Sequence, residues 1–264
     1  MYFRYLRILV KGPLVLISVL MFFVVGIFNK IVFYPFPRFR KFLAQRNTQW
    51  TSWACRKVIG YNGEYKIDFI PRGHMLICNH MSYMDVLVIA SKIPTLFVTS
   101  LEMKKTPFLG WITQIGECLY VNRRSYKNLS NEIAVIQDWL KMGFNVLIFP
   151  EATTSNGVDL KPFKSSLLQI SQNESVPITS YCLKYKKLNS IDVKAEDLIH
   201  NITWFENESF LPHIFRQFSN QSVTFELKQM DNFNSSEHPD RKTLMNRLES
   251  KIKTEYTSSY KFLK

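Results

Sequence analysis

The stretch from Met75 to Asp85 constrains the fold more than any other. Met75-Leu76-Ile77-Cys78 is a short, wholly apolar run of the kind that forms a buried strand. Asn79, His80 and Met81 follow, and then Ser82 with Asp85 three residues on. That is a capping-box pattern, which starts a helix and puts a carboxylate in its first turn. A buried strand running into a capped helix is the unit of a parallel sheet. The alternation continues downstream. Residues 95–98, 117–121 and 146–149 read as further strands, and helical spacing begins near Ser82 and covers 127–142 and 163–172. The expected fold is therefore α/β, with a central, mostly parallel or mixed sheet flanked by helices. His80 falls in a strand-to-helix turn at the carboxyl end of a strand, where open α/β sheets gather their active sites. A histidine that takes a proton, beside a carboxylate that orients it, can activate a hydroxyl. The plain alternative is that Asp85 only caps its helix and His80 is a polar loop residue.

Charge separates the first quarter of the chain from the rest. The net charge is +13, and residues 1–66 hold eleven basic residues against one acidic residue, Glu64. The same segment carries the longest apolar run, 13–28, with no charge in it. About 20 apolar residues cross a bilayer, so this run is borderline, with Lys11 placed to snorkel at its edge. Arg4, Arg7 and Lys11 precede it and Lys30 follows, so the positive-inside rule gives no orientation. Such flanks suit a single membrane helix, a helical hairpin or a segment dipping into one leaflet. A signal peptide would need a small-x-small cleavage site, which is missing; the other alternative is a core helix. Basic charge beside an apolar helix points to anionic lipid partners. Nucleic acid is not expected, because zinc-ligand spacing, RNA-recognition signatures and basic heptads are all absent from the sequence. The expected organisation is a basic, apolar membrane-attachment segment over 1–66 and a folded domain over 67–264. Cys55, Cys78, Cys118 and Cys182 are far apart and read as free thiols of a reducing compartment. The histidines show no metal-ligand spacing, so no metal is expected.

Three further clusters follow strand ends. They are Gly116 leading to Tyr120-Val121-Asn122-Arg123, then Phe149-Pro150-Glu151-Ala152-Thr153-Thr154-Ser155, then Val176-Pro177-Ile178-Thr179. Together with His80-x4-Asp85, and with Thr106-Pro107-Phe108-Leu109-Gly110, they resemble the glycerolipid acyltransferase family, which includes the lysophosphatidate acyltransferases. Four blocks in the family's order over about a hundred residues make a specific signal. The resemblance implies a glycerol-3-phosphate acyltransferase-like fold over 67–264. It also implies transfer of an acyl chain from an acyl thioester to the free hydroxyl of 1-acyl-sn-glycerol-3-phosphate or a related lysophospholipid. Acyl-CoA or acyl carrier protein would be the co-substrate, with no bound cofactor, at the cytoplasmic face of the inner or cell membrane.

The resemblance further implies residue roles. His80 is the general base and Asp85 orients it. Arg123 holds the acceptor's anionic group, and Glu151, Thr153, Thr154 and Gly116 fall in the blocks that shape the substrate site. The chain departs from the pattern in three places. Ala152 replaces a glycine, Thr154 stands where phosphatidate-making members carry arginine, and Ser100 stands where many carry lysine. Arg123, with Lys161 and Lys164 nearby in sequence, remains as the phosphate anchor. The variant block looks like members acting on other lyso-lipids, such as lyso-ornithine lipid and lysophosphatidylethanolamine. The chain has no Gly-x-Ser-x-Gly elbow, so direct transfer is expected and not a seryl intermediate. Two other classes stand beside this reading: a thioesterase or hydrolase that uses water, and an inactive membrane-binding module. Further on, 223–227 alternates as a strand and 241–256 has helical spacing after Asp240 as its cap. Trp204-Phe205 and 210–218 either wall an acyl tunnel or close the core.

Overall fold

The computed structural model describes residues 2–122, 129–172, 176–206, 208–234 and 240–263. Two long helices come first, α1 (Tyr2–Val32) and α2 (Pro37–Ile59). They lead into β1 (Tyr61–Lys66), β2 (Met75–Cys78), α3 (Met84–Ala90) and β3 (Leu96–Ser100). A helical pair, α4 (Leu101–Lys105) and α5 (Leu109–Ile115), precedes β4 (Leu119–Val121), α6 (Leu129–Lys141) and β5 (Val146–Ile148). Then come α7 (Gln169–Gln172), the long β6 (Pro177–Leu188), β7 (Ile191–Asp192) and α8 (Ala195–Asp197). The last elements are α9 (Phe210–Ser219), β8 (Val223–Asn234) and α10 (Arg241–Ser258).

The strands form one sheet in the order β1-β8-β6-β2-β5-β3-β4, with β7 beside β6. Strands β6, β2, β5, β3 and β4 run parallel to one another. The pair β1 and β8 runs the other way, because β8 is antiparallel to β6 and parallel to β1. The sheet is thus mixed. Every residue of β2 and β5 is buried, as expected of central strands covered on both faces, and this is why they read as unbroken apolar runs. β1 precedes the expected boundary at residue 66 and is nevertheless part of this sheet, in register from Tyr61↔Val223 to Lys66↔Lys228.

The turn after β2 is built as the capping pattern predicts, with the helix starting one residue later, after Tyr83. The Asp85 carboxylate reaches back to the Ser82 N–H (2.9 Å), and Met84 N–H donates to Ser82 Oγ (3.3 Å). Asp240 caps α10, its carboxylate accepting from the N–H groups of Lys242 and Thr243. The helical spacing at 163–172 gives only a 3-10 turn, Ser166–Leu168, and the one-turn α7. The first residues of that stretch have their N–H groups committed elsewhere: Phe163 N donates to Glu249 Oε2 and Lys164 N to Pro150 O.

Helix α1 has the length and hydropathy to cross a membrane, but it is fastened to the folded body along its length. Arg4 donates to Ser219 Oγ and Arg7 to Ser219 O. Lys11 Nζ donates to Ile59 O and Asn220 O, both at 2.6 Å. Farther along, Asn47 donates to Phe22 O and Asn29 to Arg40 O. The basic residues ahead of the apolar run therefore satisfy orphan carbonyls at the C-terminal ends of α2 and α9, where cations are favoured. The other flank of α1 is bare and apolar, with Leu9, Leu16, Ile17, Leu20, Val24 and Phe28 all exposed.

Candidate active site

His80 and Asp85 meet at the carboxyl end of β2. His80 Nδ1 lies 2.8 Å from Asp85 Oδ2. An ionised carboxylate only accepts, so Nδ1 carries the proton and Nε2 keeps its lone pair. Asp85 is fully buried, and Oδ2 also accepts from the N–H groups of Met81 (2.6 Å) and Ser82 (2.9 Å). Oδ1 accepts from Tyr185 Oη at 2.5 Å. Four donors thus fix the carboxylate in one orientation. Phe149 stacks flat on the imidazole, with ring centroids 3.8 Å apart and planes at 10°.

The third block clamps the main chain of His80. Glu151 Oε1 accepts from His80 N–H (2.6 Å), and Oε2 accepts from Lys161 N–H (3.0 Å). Ser155 donates to His80 O through both its N–H (2.9 Å) and its Oγ (3.1 Å). Glu151 is 1% exposed, so the structure places it behind the reacting residues, holding the turn, and not facing an acceptor. Ala152 sits at φ 61°, the left-handed region in which a Cβ costs about 1–2 kcal/mol. The glycine it replaces would bear no such cost.

Burial pushes the Glu151 carboxyl up to about 7, against the pull of the His80 and Lys161 N–H groups. The unfolded chain releases that proton near 4.5. Between these values the folded state holds a proton that the unfolded state has lost, so this contribution to stability is full below about 4.5 and falls as pH rises to about 7. The fall is on the order of 3 kcal/mol. Denaturant unfolding across that window will show this slope in the wild type and not in Glu151→Gln; parallel curves for the two proteins would contradict it.

His80 opens onto an apolar cavity of about 640 Å³. Val15, Val19 and Phe22 of α1 form one wall; Trp204, Phe210, Ile214 and Phe218 form another. Of the aromatic segments 204–205 and 210–218, Trp204, Phe210, Phe215 and Phe218 therefore line the cavity, and Phe218 is also core. Gly116, Thr153 and Thr154 line the same cavity, as does Ser100. Among the described residues no lysine or arginine lines it; Lys161 and Lys164 do not. Arg123, the expected anion anchor, lies outside the described residues.

The family model described as Acyltransferase matches residues 64–184, which take in β2, the His80 turn, Gly116 and the clamp over 149–155. The chain is 31% identical over 115 residues to a 1-acyl-sn-glycerol-3-phosphate acyltransferase of Neisseria gonorrhoeae, covering 44% of this chain and 45% of that one. It is 30% identical over 156 residues to a lyso-ornithine lipid O-acyltransferase of Pseudomonas aeruginosa, covering 58% and 59%. The chain thus spans about half the length of these curated relatives. The fold is shared with the crystal structure of the 1-acyl-sn-glycerophosphate acyltransferase PlsC of Thermotoga maritima. That match has TM-score 0.60 at 16% identity and covers 94% of this chain and 97% of that one.

Tyr185 of β6 is a residue of this site that the sequence does not disclose. It is a hundred positions from Asp85, and a tyrosine in a buried strand reads as core. Burial first, and then the Asp85 charge, hold its hydroxyl protonated, so it stays a donor. The neighbouring Lys184 fixes β6 to α10 through Glu255 (2.6 Å) and Ser259 (2.9 Å). Tyr185→Phe takes one donor from a buried carboxylate, a loss of about 1.5–3 kcal/mol for a charged hydrogen bond. The acidic limb of the pH–rate profile should move to higher pH, and the maximal rate should fall on the order of ten-fold. An unmoved limb would reduce Tyr185 to packing.

Proposed function

We propose that the protein transfers an acyl chain from an acyl thioester to the free hydroxyl of a lyso-lipid at a membrane surface. The observation that carries this reading is His80, paired with Asp85, at the wall of an apolar cavity. A cavity of about 640 Å³ with mostly apolar walls suits a fatty acyl chain. His80 Nε2 takes the proton of the acceptor hydroxyl as that oxygen attacks the thioester carbonyl. Asp85, held by its four donors, stabilises the imidazolium that forms. Collapse of the tetrahedral intermediate expels the thiolate, which takes the proton back from Nε2. The product is an acylated lipid and a free thiol, either CoA or acyl carrier protein. His80, Asp85, Thr153, Thr154, Gly116 and Arg123 are the residues assigned to the reacting site, and Glu151 and Tyr185 position them.

A cavity whose described lining carries no cation favours an acceptor other than a phosphomonoester, because phosphate dianions take several basic contacts. Lyso-ornithine lipid is the second reading on that ground, and the Pseudomonas aeruginosa relative bears that name. Purified protein in detergent, given an acyl thioester and a panel of lysophosphatidate, lysophosphatidylethanolamine, lysophosphatidylglycerol and lyso-ornithine lipid, tests both readings. Preference for lysophosphatidate would make Arg123 and its neighbours sufficient. Preference for lyso-ornithine lipid would make Thr154 the specificity signal. No acylated product with any acceptor would overturn the function.

The membrane is met by the bare flank of α1. A helix tied to the body from Arg4 to Asn29 lies along one leaflet and does not cross it. The apolar cavity borders the same helix, so a lyso-lipid reaches His80 from the bilayer surface. The free thiols of Cys55, Cys78, Cys118 and Cys182 suit the cytoplasmic side.

A further inference from the structure

A second groove, of about 1030 Å³, opens at the other end of the sheet. Its walls are the α1–α2 turn and the segments entering the strands: Arg72 ahead of β2, Pro94 ahead of β3 and Asn145 ahead of β5. His80 follows the carboxyl end of β2, so the groove and the reacting pair lie at opposite edges of the sheet. Arg38, Arg46, Arg72 and Lys92 line the groove, and its described lining holds no carboxylate. Arg38 donates to Met142 O, and Arg46 donates to Gln49 and lies over the Phe42 ring. None of the four forms an ion pair with a described carboxylate. Gln45, 6% exposed, also lines the groove, and its buried Nε2 has no hydrogen-bond partner. The floor is preformed, because Asn145 Nδ2 donates to Pro71 O (2.7 Å) and Pro94 O (3.0 Å).

The rim is apolar and aromatic. Phe36, Phe39 and Phe42 are exposed there, and they continue the bare face of α1 through Phe28, Ile31 and Tyr34. Cations with no anionic partner among the described residues, beside exposed aromatic side chains and an apolar helix flank, match the charge and depth profile of a lipid head-group layer. We propose that this groove docks the phosphate-bearing head group of an anionic phospholipid, at a site separate from the reacting centre. An acidic carrier protein delivering a thioester would have to dock near His80, at the other edge, so the groove is assigned to lipid.

The test is vesicle sedimentation of the full chain, without turnover, so that the groove and the acyl-transfer reading can fail separately. The probes are neutral phosphatidylcholine vesicles and the same vesicles with phosphatidylglycerol added. Arg46→Gln, Arg72→Gln and Lys92→Gln should each lose about five-fold in affinity for the anionic vesicles, and the triple variant on the order of a hundred-fold. Binding to neutral vesicles should not change, and the difference should shrink at high salt. All three side chains are exposed, so activity in detergent should stay at the wild-type level and report an intact fold. A control triple, Lys187→Gln, Lys194→Gln and Lys242→Gln, removes the same charge elsewhere. The assignment is overturned if the groove triple binds anionic vesicles like the wild type, or if the control triple loses as much. It is also overturned if the groove triple keeps vesicle binding and instead loses binding of an acidic carrier protein.

Discussion

His80→Ala should lower acyl transfer on the order of 10²–10⁴-fold and leave the fold in place. The side chain makes one hydrogen bond, to Asp85, and stacks on Phe149. The clamp from Glu151 and Ser155 falls on the main chain of His80 and survives the change. Asp85 keeps Met81 N–H, Ser82 N–H and Tyr185 Oη as donors. What is lost is the base itself, because no other titratable ring lines the described cavity wall except Tyr83, a weak acid. Transfer rates and unfolding curves measured together decide the matter. A variant with near-normal turnover would remove His80 from the mechanism.

The second large effect is on chain length. Gly116 lies at φ −71°, a conformation open to any residue. A Cβ at this position would come 3.3 Å from Ile112 O, a tight contact that asks for a shift of a few tenths of an ångström, 3.5 Å from Thr48 Oγ1 and 3.9 Å from Phe22, between α1 and α2. Gly116→Leu therefore places its branched end in the cavity, displacing about four methylenes. At about 0.8 kcal/mol for each, a long-chain donor loses roughly 3 kcal/mol, on the order of 10² in kcat/KM. A donor too short to reach Gly116 loses little. A series of acyl thioesters of increasing length reads this directly. An unchanged length profile would show that the acyl chain does not run past Gly116.

The turn that matters most was the most legible part of the chain. Met75–Cys78 is the strand expected, and Ser82 with Asp85 mark the helix start to within one residue. Both signals are local: an unbroken apolar run and a cap. Asp240 and α10 were legible for the same reason. The long pair β6 and β8 was not. The 223–227 alternation is only the first part of β8, and β6 carries Lys184, 1% exposed, in its middle. A buried lysine satisfied by Glu226 and Glu255 breaks the apolar pattern that marks a strand. The double role of α1 was also hidden. A helix that is apolar all round reads as membrane, and nothing in its sequence separates the flank lining the cavity from the bare one. Tyr185 needed the sheet order itself, which brings β6 beside β2.

The central claim is direct transfer to a lipid hydroxyl through His80, and acceptor-dependent thiol release tests it most directly. Purified protein with an acyl thioester alone should release almost no thiol. Adding the preferred lyso-lipid should produce thiol and acylated lipid in equal amounts, and His80→Ala should abolish both. Equal thiol release with and without acceptor would instead make the protein a thioesterase and contradict the account.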